Sequence, residues 1–168
     1  MQSKVRHFPV IMQLLFFISC NNGKGEVHIL PDGYTGAVVI VYGVKESSPL
    51  PIVDDSYVYS IPSSGILYTS TKANTGKVSL SRLKFYYKKE DGEMEKLNGP
   101  LVRQQINMQT AKDTIKPDNI YVFSEITGIV GDIGHVYTSY IVSHPTEKDI
   151  QNEYIKIHQL ILLVENAL

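Results

Sequence analysis

Cys20 is the one thiol in the 168-residue chain, and it closes a short apolar run, FPVIMQLLFFIS over residues 8–19. A lone cysteine cannot form an internal disulfide, so its position asks for another chemistry. Lys4 and Arg6 precede the run and no acidic residue does, which is the charge pattern of an export signal. The apolar stretch Phe8–Ile18 is about 11 residues long, right for the core of such a signal and short of the roughly 20 that a spanning helix needs. Pro9 and Gln13 interrupt it further.

The remaining reactive residue types form weaker patterns. Gly128, Gly131 and Gly134 are spaced like a glycine-rich loop. A phosphate loop needs a helix N-terminus directly after it to supply amide donors, whereas a strand pattern follows here, so the expectation is a hairpin loop. Asp132, His135 and His144 have metal-ligand side chains, but ligand pairs usually sit at tight spacing on one element. The two histidines differ in parity along one strand, so they are read as solvated, and His28 and His158 as equally ordinary. Asp54-Asp55 lacks the alternating oxygens of a calcium loop. Ser63-Ser64-Gly65 departs from a Gly-x-Ser-x-Gly elbow. Glu90, Glu93 and Glu95 could flank a sugar as paired carboxylates, but they fall at a hairpin tip. No catalytic residue, metal set or cofactor is assigned.

The tyrosines are the other candidate for binding. Tyr34, Tyr57, Tyr59, Tyr68, Tyr86, Tyr87, Tyr137 and Tyr140 lie on or beside expected strands. Exposed together on one sheet face, they could stack on glycan rings or form a protein-binding patch. Core and cross-strand packing is the competing use.

Ser19 before Cys20, with Phe17 and Ile18 ahead of it, resembles the lipobox of bacterial lipoproteins. That resemblance implies cleavage before Cys20, a thioether-linked diglyceride on its sulfur and palmitate at the new terminus. Phe17 stands where leucine is commoner, as in the relaxed lipoboxes of Bacteroidota-type lipoproteins. Two or more acyl chains anchor a protein stably, at about 0.8 kcal/mol per buried CH₂.

Residues 1–19 hold two of the 16 basic residues and none of the 17 acidic ones, so the remainder carries a formal charge of −3. That remainder, about 149 residues, is the size of one ordinary domain. With Cys20 consumed by lipid, disulfide, zinc–thiolate and cysteine-nucleophile chemistry are excluded from the mature domain. A mildly acidic, mixed surface argues against a nucleic-acid partner. Eleven Tyr and no Trp, with many Val and Ile, favour strands.

The elements follow in order. Asn21–Glu26 is polar and glycine-rich, so residues 20–26 read as a tether spanning at most about 20 Å. Val27–Leu30 is a short strand, and Pro31-Asp32-Gly33 a turn. Ala37–Val44 is almost continuously apolar, as a strand buried on both faces would be. Lys45–Asp55 is a loop. Tyr57–Ile61 and Ile66–Thr71 are strands around the turn Pro62-Ser63-Ser64-Gly65. Val78–Lys89 is strand-like but changes parity, which requires a bulge or break near Ser81–Arg82. Asp91-Gly92 turns into Glu93–Leu97, Asn98-Gly99-Pro100 ends that hairpin, and Leu101–Lys116 has no readable pattern. Asn119–Ile126 and His135–Ser143 are strands around the loop TGIVGDIG. Thr146–Ala167 is a helix, capped by Thr146 with Asp149 three residues on, and Ile150, Tyr154, Ile157, Ile161, Val164 and Leu168 form its apolar stripe.

The strings ILPDGYTGAVVIVY (29–42), YSIPSSGILYT (59–69) and FYY (85–87) together resemble a domain-of-unknown-function family of small Bacteroidota-type envelope lipoproteins. The resemblance spans most of residues 27–145 and implies no activity. The first strand and the Ile-Pro-Ser-Ser-Gly turn are also similar to transthyretin-like and peptidase-regulatory sandwich modules.

The expectation is therefore mainly β: an antiparallel β-sandwich, transthyretin-like or Ig-like, of about seven to nine strands with one C-terminal helix. Residues 1–19 are the signal, 20–26 the tether and 27–168 a single domain. The expected role is a non-catalytic binding or structural module, held by lipid on Cys20 to a bacterial envelope membrane, the outer membrane facing the periplasm. A protein or glycan is its partner, and nucleic acid is not. The alternatives are a glycan-binding module that uses exposed tyrosines and a hydrolase whose site the sequence does not display.

Overall fold

The computed structural model describes residues 23–74, 78–101, 115–131 and 134–168. The lipobox, and much of the unreadable segment after Leu101, lie outside them. Among the described residues, ten strands form two five-stranded sheets. The first sheet contains β1 (Gly25–Pro31), β3 (Ile52–Val53), β4 (Ser56–Ser60), β6 (Leu83–Lys88) and β7 (Met94–Lys96), in the order β3-β4-β1-β6-β7. The second contains β2 (Gly36–Tyr42), β5 (Ile66–Thr69), β8 (Asn98–Leu101), β9 (Tyr121–Val130) and β10 (His135–Ser143), in the order β5-β2-β10-β9-β8. One helix follows, α1 (Glu147–Glu165).

The mainly β fold with its C-terminal helix is as expected, but the sheets are mixed rather than antiparallel. β1 runs parallel to both β4 and β6, β2 parallel to β5, and β8 parallel to β9. The chain explains this. It leaves the first sheet after β1, makes β2 in the second, and returns for β3 and β4. It crosses again for β5 and comes back for β6. A chain that alternates between layers re-enters each one in the same direction. Period-2 patterning marks a strand and its buried face, but says nothing of the neighbour's direction.

β2 is buried at all seven positions. Val38, Ile40 and Tyr42 face the first sheet, where they meet Leu30, Tyr59, Phe85 and Tyr87, with Tyr140 of neighbouring β10 beside them. The alternate residues Ala37, Val39 and Val41 face α1. β2 is thus the middle layer of a sheet–sheet–helix stack, which accounts for its unbroken apolar sequence. On α1, Ile150, Ile157 and Val164 are buried and Tyr154, Leu160 and Ile161 partly so. Leu168, the last residue of the expected stripe, is exposed.

The two motifs of the resemblance meet in space. Tyr34, in the turn after β1, donates its hydroxyl to the Ala37 carbonyl at 2.7 Å, and its own carbonyl accepts from Tyr87. Gly65 closes the Pro62–Gly65 turn, with its N–H on the Pro62 carbonyl at 2.9 Å, and its carbonyl accepts from Val39 at 2.8 Å. Its φ is +77°, and a Cβ there would run into the Tyr34 hydroxyl and the Ala37 carbonyl. Only glycine meets both demands.

The parity change before β6 falls where expected, as a break: a 3-10 turn at Leu80–Arg82. Other boundaries moved for local reasons. Asn98–Leu101 is β8 rather than a turn, because it pairs with β9. β9 continues through Gly128 to Val130, and the connection to β10 shrinks to a turn in which Gly134 N–H bonds the Gly131 carbonyl at 3.0 Å. β1 begins at Gly25, inside the expected tether.

Ile157→Ala is expected to destabilise the fold by about 2–5 kcal/mol, the usual cost of emptying a buried isoleucine site. Ile155→Ala, on the exposed side of the same helix, should cost no more than about 0.5 kcal/mol. Denaturant midpoints of the two variants measure the difference.

Candidate functional site

β1 is the strand whose facing is opposite to its pattern. Alternation between Val27 and Ile29 would place those side chains inside. Instead Glu26, His28 and Leu30 are the buried residues, and Val27 and Ile29 are half-buried on the other face. His28, expected to be solvated, is only 1% exposed. Its ladder neighbours are Tyr59 on β4 and Phe85 on β6. The imidazole stacks between them, at 4.4 Å and 6° from the Tyr59 ring and 4.6 Å and 26° from the Phe85 ring. Three adjacent strands thereby present one flat stack to the second sheet, where Tyr140 meets the imidazole edge-on at 5.3 Å.

The stack is hydrogen-bonded at its polar atoms. His28 Nδ1 lies 3.2 Å from the Tyr140 hydroxyl, and Nε2 lies 3.4 Å from Glu26 Oε2. A carboxylate only accepts, so Nε2 carries the proton and Nδ1 accepts from Tyr140. Glu26 Oε1 accepts from Asn74 Nδ2 at 2.8 Å, and the same nitrogen donates to the Lys24 carbonyl. Burial pushes the His28 pKa below its usual 6.5, and the neighbouring Glu26 opposes that shift only in part. The imidazole is therefore neutral in the fold, and the Glu26–His28 contact is a hydrogen bond rather than an ion pair.

Carboxylate, imidazole and hydroxyl in a row is the connectivity of a general-base relay. Here His28 and Tyr140 are each 1% exposed, so no reactant reaches the ends of the chain. Its physical role is to fill the centre of the sandwich and fix the register of β1. Sequence reasoning passed over it because a histidine between two valine-like neighbours reads as the solvent side. The available signal was Leu30, which shares its parity.

The other expected candidates are dispersed. His135 and His144 stand at opposite ends of β10 and its exit, and His135 Nδ1 contacts the Tyr42 carbonyl at 3.0 Å. Asp132 lies outside the described residues, and among those described no three His, Cys, Asp or Glu side chains converge as a metal set. A hollow of about 330 Å³ lies beside His135, Tyr42 and Lys72. One of about 480 Å³ lies between α1 and His144, at Glu153 and Lys156. Glu90 and Glu93 are exposed at the β6–β7 hairpin, and Glu95 pairs with Lys89. Gly128 lies inside β9 against the Tyr137 ring, so the three glycines serve a hairpin, as expected.

Seven of the eight tyrosines pack into the cores: Tyr34, Tyr57, Tyr59, Tyr87 and Tyr140 between the sheets, Tyr68 and Tyr137 against the helix side. Tyr86 alone points away from both. A platform of coplanar exposed rings is not formed by this set.

Asp55 is solvent-exposed, as expected of that loop, and also ties the start of the domain. Its carboxylate accepts from Lys24 at 2.9 Å and Arg82 at 2.8 Å, and its carbonyl accepts from Gly25 and Arg82. Those hydrogen bonds hold its carboxyl below the usual range. Arg82 also donates to the Gly23 carbonyl at 3.1 Å. The chain is thus fixed from Gly23 onward. Cys20 itself lies outside the described residues.

Comparison with known proteins gives two findings. A family model described as "Family of unknown function (DUF6843)" matches residues 22–132. A crystal structure from Bacillus anthracis, described as a "Putative Lipoprotein", is similar in fold, with a TM-score of 0.50 at 17% identity, over 74% of this chain and 75% of that one. No curated protein matches the chain.

Because His28 has a folded-state pKa below 6.5, it takes up a proton on unfolding once the pH falls below that value. Its contribution to stability is complete above about pH 6.5 and is lost as the pH drops further. Melting temperatures should therefore fall between about pH 7.5 and pH 5.5, and the fall should be shallower in His28→Phe, which keeps the ring stack but cannot titrate.

Proposed function

The chain belongs to the family of unknown function DUF6843, and on that premise we propose that it is a lipid-anchored envelope protein acting as a non-catalytic binding or structural module. Residues 1–19 are the signal that export removes. Cys20 carries the diglyceride and palmitate, and the membrane is the outer membrane, with the domain facing the periplasm. The partner is a protein or a glycan.

The observation that carries this reading is Cys20 itself: a single thiol at the close of a short apolar run, three residues before the domain begins. Supporting it, the Bacillus anthracis protein of similar fold bears a lipoprotein description. The sealed Glu26–His28–Tyr140 chain favours binding over catalysis, since the most enzyme-like set of side chains has no opening. The clamp at Gly23 shortens the tether. From Cys20 to Gly23 the chain reaches about 10 Å at most, about half the span expected when the domain was placed from Val27.

Cys20→Ala, compared with wild type by cell fractionation and intact mass, is expected to leave the membrane fraction or to accumulate with residues 1–19 uncleaved. A variant that fractionates and matures like wild type overturns the anchor.

A further inference from the structure

The two sheets differ in what lies on their outer faces. The second is covered by α1. The first presents the residues that the β1 inversion turned outward. The pairing register defines that face in rows. Val58, Val27 and Lys84 lie abreast, then Ser60, Ile29, Tyr86 and Lys96, then Pro31, Lys88 and Met94. Opposite parities on the same strands (Tyr59, Phe85, Tyr87) are buried in the sandwich. Val27, Ile29, Val58 and Tyr86 are half-buried, while Met94 and all three lysines are exposed.

No strand residue of this face is acidic, in a chain whose portion after residue 19 carries a formal charge of −3. Among the described residues, acidic groups adjoin it at its rims. Asp55 at one end is engaged by Lys24 and Arg82, Asp32 and Glu95 are engaged by Lys89, and the β6–β7 hairpin tip carries Glu90, Asp91 and Glu93. An apolar centre with flanking lysines is the pattern of a surface that rests on anionic lipid. There the lysine stems lie along the apolar boundary and their ammonium groups reach the phosphates.

The anchor supplies the occupant. Gly25, the first residue of β1, is two residues beyond Gly23, and Cys20 is three residues before it. The end of this sheet is therefore held within about 18 Å of the lipid on Cys20. We infer that the outer face of the first sheet docks on the anionic bilayer to which Cys20 is tied, with Lys84, Lys88 and Lys96 on lipid phosphates and Val27, Ile29 and Tyr86 at the headgroup boundary. This rests on the lipid-anchored reading above.

The test uses the full lipidated protein, purified and reconstituted into vesicles of phosphatidylglycerol and phosphatidylethanolamine, into vesicles of phosphatidylcholine, and into detergent micelles. Acetylation rates of individual lysines are read by mass spectrometry. Lys84, Lys88 and Lys96 should react several-fold more slowly in the phosphatidylglycerol vesicles than in micelles, while Lys148 and Lys156 react equally in both. The triple variant Lys84→Gln, Lys88→Gln, Lys96→Gln should stay anchored but lose the protection of Lys24, beside the same end of the sheet.

Equal rates for Lys84, Lys88 and Lys96 in vesicles and micelles overturn the docking while leaving the anchor intact. Equal protection in phosphatidylcholine overturns the anionic-lipid assignment. Protection already present in micelles shows that the chain itself or a second copy covers the face, and also overturns it. Failure of the protein to float with any vesicle overturns the anchor, and the docking with it.

Discussion

The burial of His28 is the constraint on which the rest depends. A one-residue slip of β1 would place Val27 and Ile29 inside and turn Glu26 and His28 out. That register would bury two apolar side chains, worth about 1.5–3 kcal/mol each. The observed register forgoes this and desolvates an imidazole and a carboxylate. It holds because Tyr59 and Phe85 sandwich the ring, Tyr140 and Glu26 occupy both of its nitrogens, and Asn74 takes the other carboxylate oxygen. A fully partnered buried network fixes one alignment, where a half-satisfied one would disfavour it.

Two consequences follow from that choice. Inside, the sandwich gains a polar centre that links both sheets, since Tyr140 belongs to β10 and the stack to β1, β4 and β6. Outside, the first sheet inherits the apolar residues that β1 does not bury, beside lysines from β6 and β7. In the second sheet β2 is apolar on both faces and α1 covers the far one. Among the described residues one sheet is covered by a helix and the other presents lysines, and the clamp among Gly23, Asp55 and Arg82 places the latter at the entry of the chain.

Much of the fold was legible because its signals were local. The run at Ala37–Val44 marked the middle strand, the stripe Ile150, Ile157 and Val164 marked the helix face, and Pro62–Gly65 marked a turn. Strand directions were not legible, since parallel pairing arises from crossings between sheets that no short pattern encodes. β8 and the extension of β9 were missed because Asn98, Gly99 and Gly128 carry turn chemistry that pairing overrode. The buried site was missed for a related reason: His28 is polar by type, and only the rings that two distant strands bring to its faces make the interior a better place for it than water. The proposed anchor, by contrast, rests wholly on sequence, because export signals act through charge and length.

The burial of His28 is also the most directly measurable part of the account. A pH titration by nuclear magnetic resonance follows the His28 ring directly. The account predicts that this ring is still neutral, protonated at Nε2, when the pH has fallen to the ordinary imidazole value of 6.5. A His28 ring that titrates at 6.5 or above would mean that β1 faces the other way, and would contradict both the polar centre and the outer face that depends on it.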